Sequence, residues 1–352
     1  MNKSSRKSFP PSETKFAVYE AEVAEGLEAV ARDEINDLLG KQARNYRVEK
    51  GVVRFSFAGK PQTLFKLRTV NAVYSYLYFD VPRPRALLGH EHFSQILQQI
   101  ETIRALSPRS SYETFHISAA GSESSVMNRL KDELVARIKL SSADDKGDLL
   151  IRIRRSGQGW EMLIRLTPRP LATRSWRVCN FEGALNASVA HAMVLLTPPS
   201  PEDTFLNIAC GSGSLLVERL EATAVKRAIG CDIDPQALDC AQQNLRASRT
   251  HATLLHCDAR TLPLAAESVD VLCADLPFGQ LVGTHEENVS FYPALLREAA
   301  RIARHEARFV LITHEVRLME SLLRDSVAWT TENMLRVTLG GLHPRIYVLR
   351  KS

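Results

Sequence analysis

Apolar and polar positions in the first 80 residues alternate as in a small layer of strands and helices. Val53, Phe55 and Phe57 alternate with polar positions, which is typical of a half-buried strand. Two prolines, Pro82 and Pro84, then interrupt the pattern, because proline lacks an N–H donor and restricts its neighbours. Strands are predicted at 16–21, 52–57 and 73–79, and helices at 26–39 and 61–67.

A second block of alternating elements follows and ends near residue 170. Helices are predicted at 93–103 and 126–140, and strands at 114–119, 149–154 and 160–166. The two blocks together predict two small α+β modules at 15–82 and 86–170, followed by a linker at 171–182.

The third block, from residue 183 to the end, alternates short apolar runs with helical patterns. Such alternation predicts a parallel sheet with crossover helices, and hence an α/β domain. Two last runs on either side of Gly340-Gly341 predict an antiparallel pair at the sheet edge. Strands are predicted at 204–208, 228–231, 253–256, 269–274, 308–313, 335–339 and 346–349, and helices at 214–220, 235–247 and 292–303.

Composition narrows the class of protein. The chain has 352 residues, 45% of them hydrophobic and 24% charged, which suits a globular protein of two or three domains. No apolar run reaches the roughly 18 residues of a membrane helix, and residues 1–14 form a polar tail without a signal-like apolar core. The six cysteines form no CxxC pair, so we expect a cytoplasmic protein with reduced, buried thiols and no metal.

Charge is distributed unevenly between the halves. Residues 1–180 contain 29 Lys and Arg against 20 Asp and Glu, whereas residues 181–352 contain 16 against 20. A basic half beside a mildly acidic half indicates that one part binds a polyanion, although solvated surface charge explains the count equally simply. The candidate phosphate contacts lie on or near the last two strands of the second block and in the linker: Arg152, Arg154, Arg155, Arg165, Arg174 and Arg177.

The first candidate site is a glycine turn directly after the strand at 204–208. Gly211 and Gly213 let the backbone turn sharply, and the helix that follows directs its N-terminal amides toward a ligand. Leu216 stands where a dinucleotide cradle needs its third glycine, so a nicotinamide or flavin oxidoreductase is disfavoured.

Acidic residues follow the next two strands. Asp232 is placed to accept the ribose hydroxyls of a nucleoside cofactor, and Asp258 to accept the amino group of its adenine. Asp234 precedes a first-turn proline and is better explained as a helix cap. Ligands of open α/β sheets bind at the carboxyl ends of the strands, where all these residues lie.

The last signal follows the strand at 269–274 and reads Asp275-Leu276-Pro277-Phe278. An acidic oxygen and a backbone carbonyl on a proline-stiffened turn can accept both hydrogens of an exocyclic amine, while Phe278 stacks on the base. Such positioning directs the nitrogen lone pair toward a methyl donor. A simple turn with a buried aromatic is the alternative.

These motifs together resemble the THUMP-domain RNA methyltransferases, which carry a Rossmann-like class I methyltransferase domain. Gly26-Leu27 and 51–55 are similar to their N-terminal ferredoxin-like module, and 174–186 to the entry of their catalytic domain. Asn288, Tyr292 and Pro293 most resemble the branch that methylates guanine N2 in tRNA. The resemblance implies a ferredoxin-like module at 15–82, a THUMP RNA-binding module at 86–170 and a methyltransferase domain at 183–352, with a seven-stranded sheet.

The resemblance also implies S-adenosylmethionine as cofactor, with Asp275, Leu276, Pro277 and Phe278 as catalytic residues. The implied cofactor contacts are Asn207, Ala209, Cys210, Gly211, Ser212, Gly213, Asp232, Ile233, Asp258, Ala259 and Asp275. Asn207 replaces an aspartate, and Leu276 replaces the first proline of the family's tetrad, although only its backbone carbonyl is needed.

The sequence therefore predicts methyl transfer to guanine N2 of tRNA or another structured RNA, without membrane or metal; an accessory subunit is possible but not implied. Two alternatives remain open. One keeps the chemistry on 23S ribosomal RNA or on adenine N6, and the other is an RNA-binding protein with a decayed methyltransferase fold.

Overall fold

The computed structural model describes residues 16–181, 183–277 and 284–352. Within them the chain forms two β-sheets, one of eight strands from the N-terminal half and one of seven from the C-terminal half. The predicted tail at 1–14 and Phe278 lie outside the described residues. No helix in the described part of the chain is long and apolar enough to cross a membrane.

The eight-stranded sheet has the order β2-β3-β1-β4-β8-β7-β5-β6. Its strands are β1 (Ala17–Val23), β2 (Ala43–Glu49), β3 (Val52–Phe57), β4 (Val70–Phe79), β5 (Thr114–Ala119), β6 (Ser141–Ser142), β7 (Leu149–Ser156) and β8 (Gly159–Arg165). Helices α1 (Glu28–Leu39), α2 (His90–Arg104) and α3 (Ser125–Ile138) bury apolar stripes against it, and the predicted helix at 61–67 is a 3-10 segment, Pro61–Lys66.

This sheet continues across the predicted boundary between the two N-terminal modules. Strand β4, before the boundary, pairs antiparallel with β8 beyond it, from Tyr74↔Arg165 to Phe79↔Trp160. The two predicted modules therefore share one hydrogen-bonded sheet, and residues of both lie in the same apolar core.

The seven-stranded sheet has the order β11-β10-β9-β12-β13-β15-β14, with five parallel strands and an antiparallel edge pair. This confirms the predicted α/β sheet and its edge hairpin. Its strands are β9 (Thr204–Ile208), β10 (Arg227–Asp232), β11 (Thr253–His256), β12 (Val269–Asp275), β13 (Ala303–Thr313), β14 (Trp329–Arg336) and β15 (Arg345–Lys351). Its helices are α4 (Ala187–Leu195), α5 (Ser214–Ala222), α6 (Pro235–Ser248), α7 (His285–Ile302) and α8 (Val316–Arg324).

Polar caps fix where α4 and α7 begin. The Asn186 side chain accepts from the N–H groups of Ser188 and Val189 at the start of α4. Thr284 and Glu287 form a reciprocal capping box, so α7 begins at His285, seven residues before the predicted start at 292. The apolar spacing alone missed this first turn because it is exposed and acidic.

Two cysteines differ from expectation. Cys179 and Cys240 form a disulfide, so the prediction of six reduced thiols is wrong for this pair, which lies 61 residues apart along the sequence. Cys210, Cys231 and Cys273 are buried free thiols, as predicted, and Cys257 is free and half-buried. Chain folding brings Cys179 of the linker against α6, a contact that no spacing rule predicts.

Candidate active site

The glycine turn connects β9 to α5 with three residues in the left-handed region. These are Ala209 (φ 48°), Gly211 (φ 53°) and Gly213 (φ 78°). A Cβ on Gly213 would lie 3.2 Å from the Cβ of Ala241 on α6, so a side chain would separate the turn from that helix. A Cβ on Gly211 would meet no atom within 4 Å, so the space over this peptide is open to a ligand.

Asp232, at the end of β10, is bonded to the same turn. Its Oδ2 accepts from the Gly211 N–H at 2.8 Å, and its Oδ1 accepts from the Asp234 N–H at 3.0 Å. Each oxygen keeps a further lone pair, so the carboxylate can still accept ribose hydroxyls. Asp234 caps α6 by accepting from Gln236 N–H, which confirms the alternative expected for it.

Asp258, after β11, is occupied by a neighbour. Arg260 binds both carboxylate oxygens, and its hydrogen bond lowers the pKa of Asp258. An adenine amino group would therefore share this carboxylate with the guanidinium. Ile233 is 64% exposed between the ends of β10 and β11, where it offers an apolar face to a base, and Ala259 is buried.

Asn207, Cys210 and Ser212 are buried around the turn. The Asn207 amide Nδ2 donates to the backbone oxygens of Ile208 and Cys273, which joins β9 to β12. Its Oδ1 and the Ser212 Oγ have no hydrogen-bond partner among the described residues. Two unpartnered acceptors beside the open turn are the kind of group that a polar ligand satisfies.

Asp275 ends β12, and its Oδ1 is buried without a hydrogen-bond partner in the described chain. The residue as a whole is half-buried, yet desolvation raises the pKa of its carboxyl to about 7. A buried carboxylate oxygen without a hydrogen bond lowers the free energy of unfolding. A hydrogen-bond donor from a substrate would remove that cost.

The backbone after Asp275 is held on both sides. The Leu276 N–H donates to the Ile312 oxygen at 3.0 Å, and the Pro277 carbonyl accepts from Tyr292 Oη at 2.8 Å and from Asn288 Nδ2 at 3.2 Å. Sequence reasoning used Asn288 and Tyr292 only as marks of resemblance. Their contact with the tetrad was missed because it joins positions 11 and 15 residues apart, a separation at which side-chain partners depend on packing.

The linker is bonded to the glycine turn and to α5 by Asn244, which the sequence did not single out, and by Arg177. Asn244, fully buried on α6, accepts from the N–H groups of Val178 and Cys179 and donates to the Ser212 oxygen, each at 3.0 Å. Arg177 donates to the Ser214 hydroxyl at 2.8 Å, at the first residue of α5. These bonds place Arg177, predicted as an RNA contact, in an internal role.

A buried ionic cluster joins the N-terminal half to α5. The Glu218 carboxylate, 0% exposed, lies 2.9 Å from nitrogens of Arg68 and Arg174 and 3.0 Å from His191 Nδ1. Burial alone would raise the pKa of Glu218, but the contact with His191 and the charges of Arg174 and Arg68 outweigh it and lower the pKa to about 2. Arg174, another predicted RNA contact, is therefore paired with Glu218 inside this cluster.

The remaining predicted arginines lie on or beside the polar face of the N-terminal sheet. Arg152 and Arg154 lie two positions apart on β7 and therefore share one face of the strand. Arg154 pairs with Glu20 and Glu161, and Arg152 with Glu22, so their charges are largely neutralised. Arg165 is buried and donates to backbone carbonyls, whereas Arg155 is exposed.

Known proteins resemble the chain in both halves. Residues 174–345 match the family described as UPF0020, RMKL-like, methyltransferase domain. The mouse tRNA (guanine(6)-N(2))-methyltransferase THUMP3 is 28% identical over 183 residues, which cover 48% of this chain and 36% of that protein. The tRNA (guanine(6)-N2)-methyltransferase of Methanocaldococcus jannaschii is 22% identical over 94% of this chain and 99% of its own length.

A crystal structure of TrmN from Thermus thermophilus has the same fold, with a TM-score of 0.76. It is 23% identical, and the likeness covers 95% of this chain and 99% of that one. The expected methyltransferase resemblance is thereby confirmed for residues 174–345, together with the predicted α/β class of their fold, whereas over the N-terminal half the TrmN structure shows a likeness of fold alone. The match to the mouse protein spans little more than a third of that relative's length.

Proposed function

We propose that the chain, whose residues 174–345 match the UPF0020 methyltransferase family, methylates the exocyclic N2 of guanosine in tRNA with S-adenosylmethionine as methyl donor. The observation that carries the proposal is the unpartnered Oδ1 of Asp275 at the carboxyl end of β12. This acceptor faces the edge of the sheet at which the glycine turn and Asp232 also end.

The residues present suit that cofactor. The open space over Gly211 admits the donor's amino-acid part, Asp232 accepts its ribose hydroxyls, and Ile233 packs on its adenine. Bound there, the sulfonium supplies an electrophilic methyl group. In the described part of the chain no group of three or more His, Cys, Asp or Glu residues is placed to hold a metal ion.

The protein's contribution to the chemistry is placement of the amine. Asp275 Oδ1 accepts one hydrogen of guanine N2 and the Leu276 carbonyl accepts the other, which turns the nitrogen lone pair toward the methyl carbon. As the N–C bond forms, the bond between the methyl carbon and sulfur would break and S-adenosylhomocysteine would leave. The ionised carboxylate of Asp275 would stabilise the positive charge that the nitrogen then carries. The surplus proton then leaves through Asp275 or water. Phe278, the next residue of the tetrad, is assigned to stack on the base.

For the N-terminal half we propose the ferredoxin-like and THUMP modules at 15–82 and 86–170, acting together through their common sheet. The excess of basic residues over 1–180, which includes the tail and the linker beside these modules, suits binding to the phosphates and shape of folded RNA. The archaeal relative that is named a tRNA methyltransferase matches this half as well, which favours tRNA as the substrate. A protein acting on tRNA in this way is expected in the cytoplasm.

The test is methylation of bulk tRNA and of ribosomal RNA, each from a strain lacking this gene, with purified protein and labelled S-adenosylmethionine. Digestion to nucleosides should place the label in N2-methylguanosine from tRNA alone. Label in ribosomal RNA or in N6-methyladenosine would keep the chemistry and change the substrate. An absence of label together with an absence of cofactor binding would favour a decayed methyltransferase fold.

A further inference from the structure

A buried chain of hydrogen bonds ends on the backbone of the tetrad. The Glu315 N–H donates to Thr313 Oγ1 at 2.9 Å, Thr313 Oγ1 lies 2.7 Å from Tyr292 Oη, and Tyr292 Oη lies 2.8 Å from the Pro277 oxygen. Tyr292 and Thr313 are both 0% exposed. The chain therefore runs from β13 through α7 to the catalytic loop without contact with solvent.

The two ends of this chain fix the direction of every hydrogen in it. A backbone N–H can only donate and a carbonyl can only accept. Tyr292 must therefore give its proton to Pro277, and Thr313 must give its proton to Tyr292. Burial raises the pKa of Tyr292, so the phenol stays protonated and keeps donating. One proton arrangement satisfies all three contacts, which makes the chain a stiff support.

The peptide between Leu276 and Pro277 is consequently restrained from both sides. Its N-terminal neighbour is the Leu276 N–H, held by Ile312 on β13, and its C-terminal neighbour is the proline ring, whose φ is fixed. Asn288 adds a second donor to the Pro277 oxygen. These bonds involve the Leu276 N–H and the Pro277 carbonyl. They do not use the Leu276 carbonyl, which the proposed mechanism needs as the acceptor of the second amine hydrogen.

From this arrangement we infer that Tyr292, Thr313 and Asn288 are positioning residues that aim the Leu276 carbonyl at the substrate amine; the inference rests on the proposed function. They touch neither cofactor nor base. Their contribution appears in the rate of methyl transfer and leaves cofactor affinity unchanged, because the glycine turn and Asp232 are on other strands.

The test compares Tyr292→Phe with Tyr347→Phe. Tyr347 lies on β15 of the same domain, is 2% exposed, and its hydroxyl has no partner among the described residues, so Tyr347→Phe also removes one buried phenol oxygen but breaks no hydrogen bond there. We expect kcat to fall about 10- to 100-fold in Tyr292→Phe, because a small displacement of a reacting group is costly, and to stay near wild type in Tyr347→Phe. KM for the cofactor should change in neither.

Thr313 tests the direction of the chain. Thr313→Ser keeps the hydroxyl and should retain wild-type kcat, whereas Thr313→Val should lower it. Because Thr313 acts through Tyr292, the double variant Tyr292→Phe/Thr313→Val should be no slower than Tyr292→Phe alone. Multiplicative losses in the double variant, or equal losses in the Tyr347→Phe control, would overturn the inference.

Amide hydrogen exchange distinguishes failure of this inference from failure of the proposed function. If the wild-type protein labels no RNA, the proposed function fails, but the restraint that Tyr292 places on the backbone at Leu276 and Pro277 can still be measured. Exchange at the Leu276 amide should then be faster in Tyr292→Phe than in Tyr347→Phe. Equal exchange rates in the two variants would show that Tyr292 does not restrain this backbone, and would overturn the inference whatever the substrate proves to be.

Discussion

Glu218 on α5 and Asp275 at the end of β12 are two carboxylates of one domain with opposite surroundings. Glu218 is enclosed by Arg68, Arg174 and His191, and the pKa of its carboxyl is lowered to about 2. No described group bonds the Oδ1 of Asp275, and burial raises its pKa to about 7. Both lose hydration on folding, but within 16–181, 183–277 and 284–352 only Glu218 receives side-chain donors in exchange.

The difference separates a structural acid from one that awaits a ligand. A buried carboxylate with a full set of partners stabilises the ionised form and fixes the elements that carry those partners. A buried carboxylate without partners is a cost to folding that selection for stability alone would remove. The same criterion assigns Glu20 and Glu161 of the N-terminal sheet, which Arg154 binds, to structure.

The largest expected effect is the loss of activity in Asp275→Ala. Removing the acceptor for the substrate amine should lower kcat by about 100- to 1000-fold or more, comparable to deleting one oxyanion-hole donor. Binding of S-adenosylhomocysteine should be left largely intact, because Asp232 and the glycine turn, which carry most of the expected cofactor contacts, are unchanged. Single-turnover methylation and calorimetric titration measure the two quantities.

Asp270 supplies the control on the same strand. Its carboxylate is partnered, accepting from the Thr204 N–H at 2.8 Å and from Arg304 at 2.7 Å. Asp270→Asn should therefore lower thermal stability and leave turnover unchanged. Wild-type turnover in Asp275→Ala would refute its assignment as the amine acceptor.

The next effect is on stability, in Glu218→Gln. The substitution leaves the buried guanidinium of Arg174 without its charge partner, which typically costs about 3–5 kcal/mol. Because the folded pKa of Glu218 lies below its ordinary value of 4.5, its stabilisation is present above that pH and is lost as pH falls toward about 2. Denaturant unfolding at several acidic pH values should show this loss in wild type and not in Glu218→Gln.

The parallel sheet was the most predictable part of the fold. Its strands are short apolar runs bounded by turn residues, and the bounds of β9 and β11 match the prediction. Strand β2 escaped prediction because it is a mostly exposed edge strand with little apolar alternation. Helix α4 escaped because eight of its nine residues are buried, so no amphipathic period is present.

Within the site, only the residues that directly follow the end of a strand could be predicted from the sequence. Asp232 and Asp275 were assigned to the sheet edge because the carboxyl ends of parallel strands converge there. The arginines were not separable in this way, because Arg174 finds Glu218 44 residues later and Arg177 finds Ser214 37 residues later. Side-chain partners at such separations depend on packing, which local pattern does not encode.

A smaller effect should appear in the pH dependence of turnover. The ionised carboxylate of Asp275 is the form that accepts the amine, so kcat/KM for RNA should rise with pH and level off above an apparent pKa near 7, about tenfold across the limb. Native stability should fall over the range from about 3.8 to about 7, because ionising a group with a raised folded pKa disfavours the native state. In Asp275→Asn, whose amide oxygen accepts without titrating, the rate should be lower and the acidic limb absent.

The smallest effect concerns RNA binding by the N-terminal sheet, where Arg154 and Arg155 are adjacent but differ in pairing. Both are exposed, but Arg154 is bound to Glu20 and Glu161, whereas Arg155 forms no ion pair with the residues that the structure describes. Arg155→Ala should weaken tRNA binding by about two- to threefold and reduce the slope of log affinity against log salt by about 1, as loss of one phosphate contact does. Arg154→Ala should change RNA affinity less and lower the melting temperature more. Filter binding over a range of salt concentrations measures the RNA affinities and their salt slopes, and thermal unfolding measures the melting temperatures. If Arg154→Ala weakened RNA binding more than Arg155→Ala, the paired arginines would be RNA ligands as well as structural residues. Ion pairing would then no longer distinguish structural arginines from arginines that bind RNA.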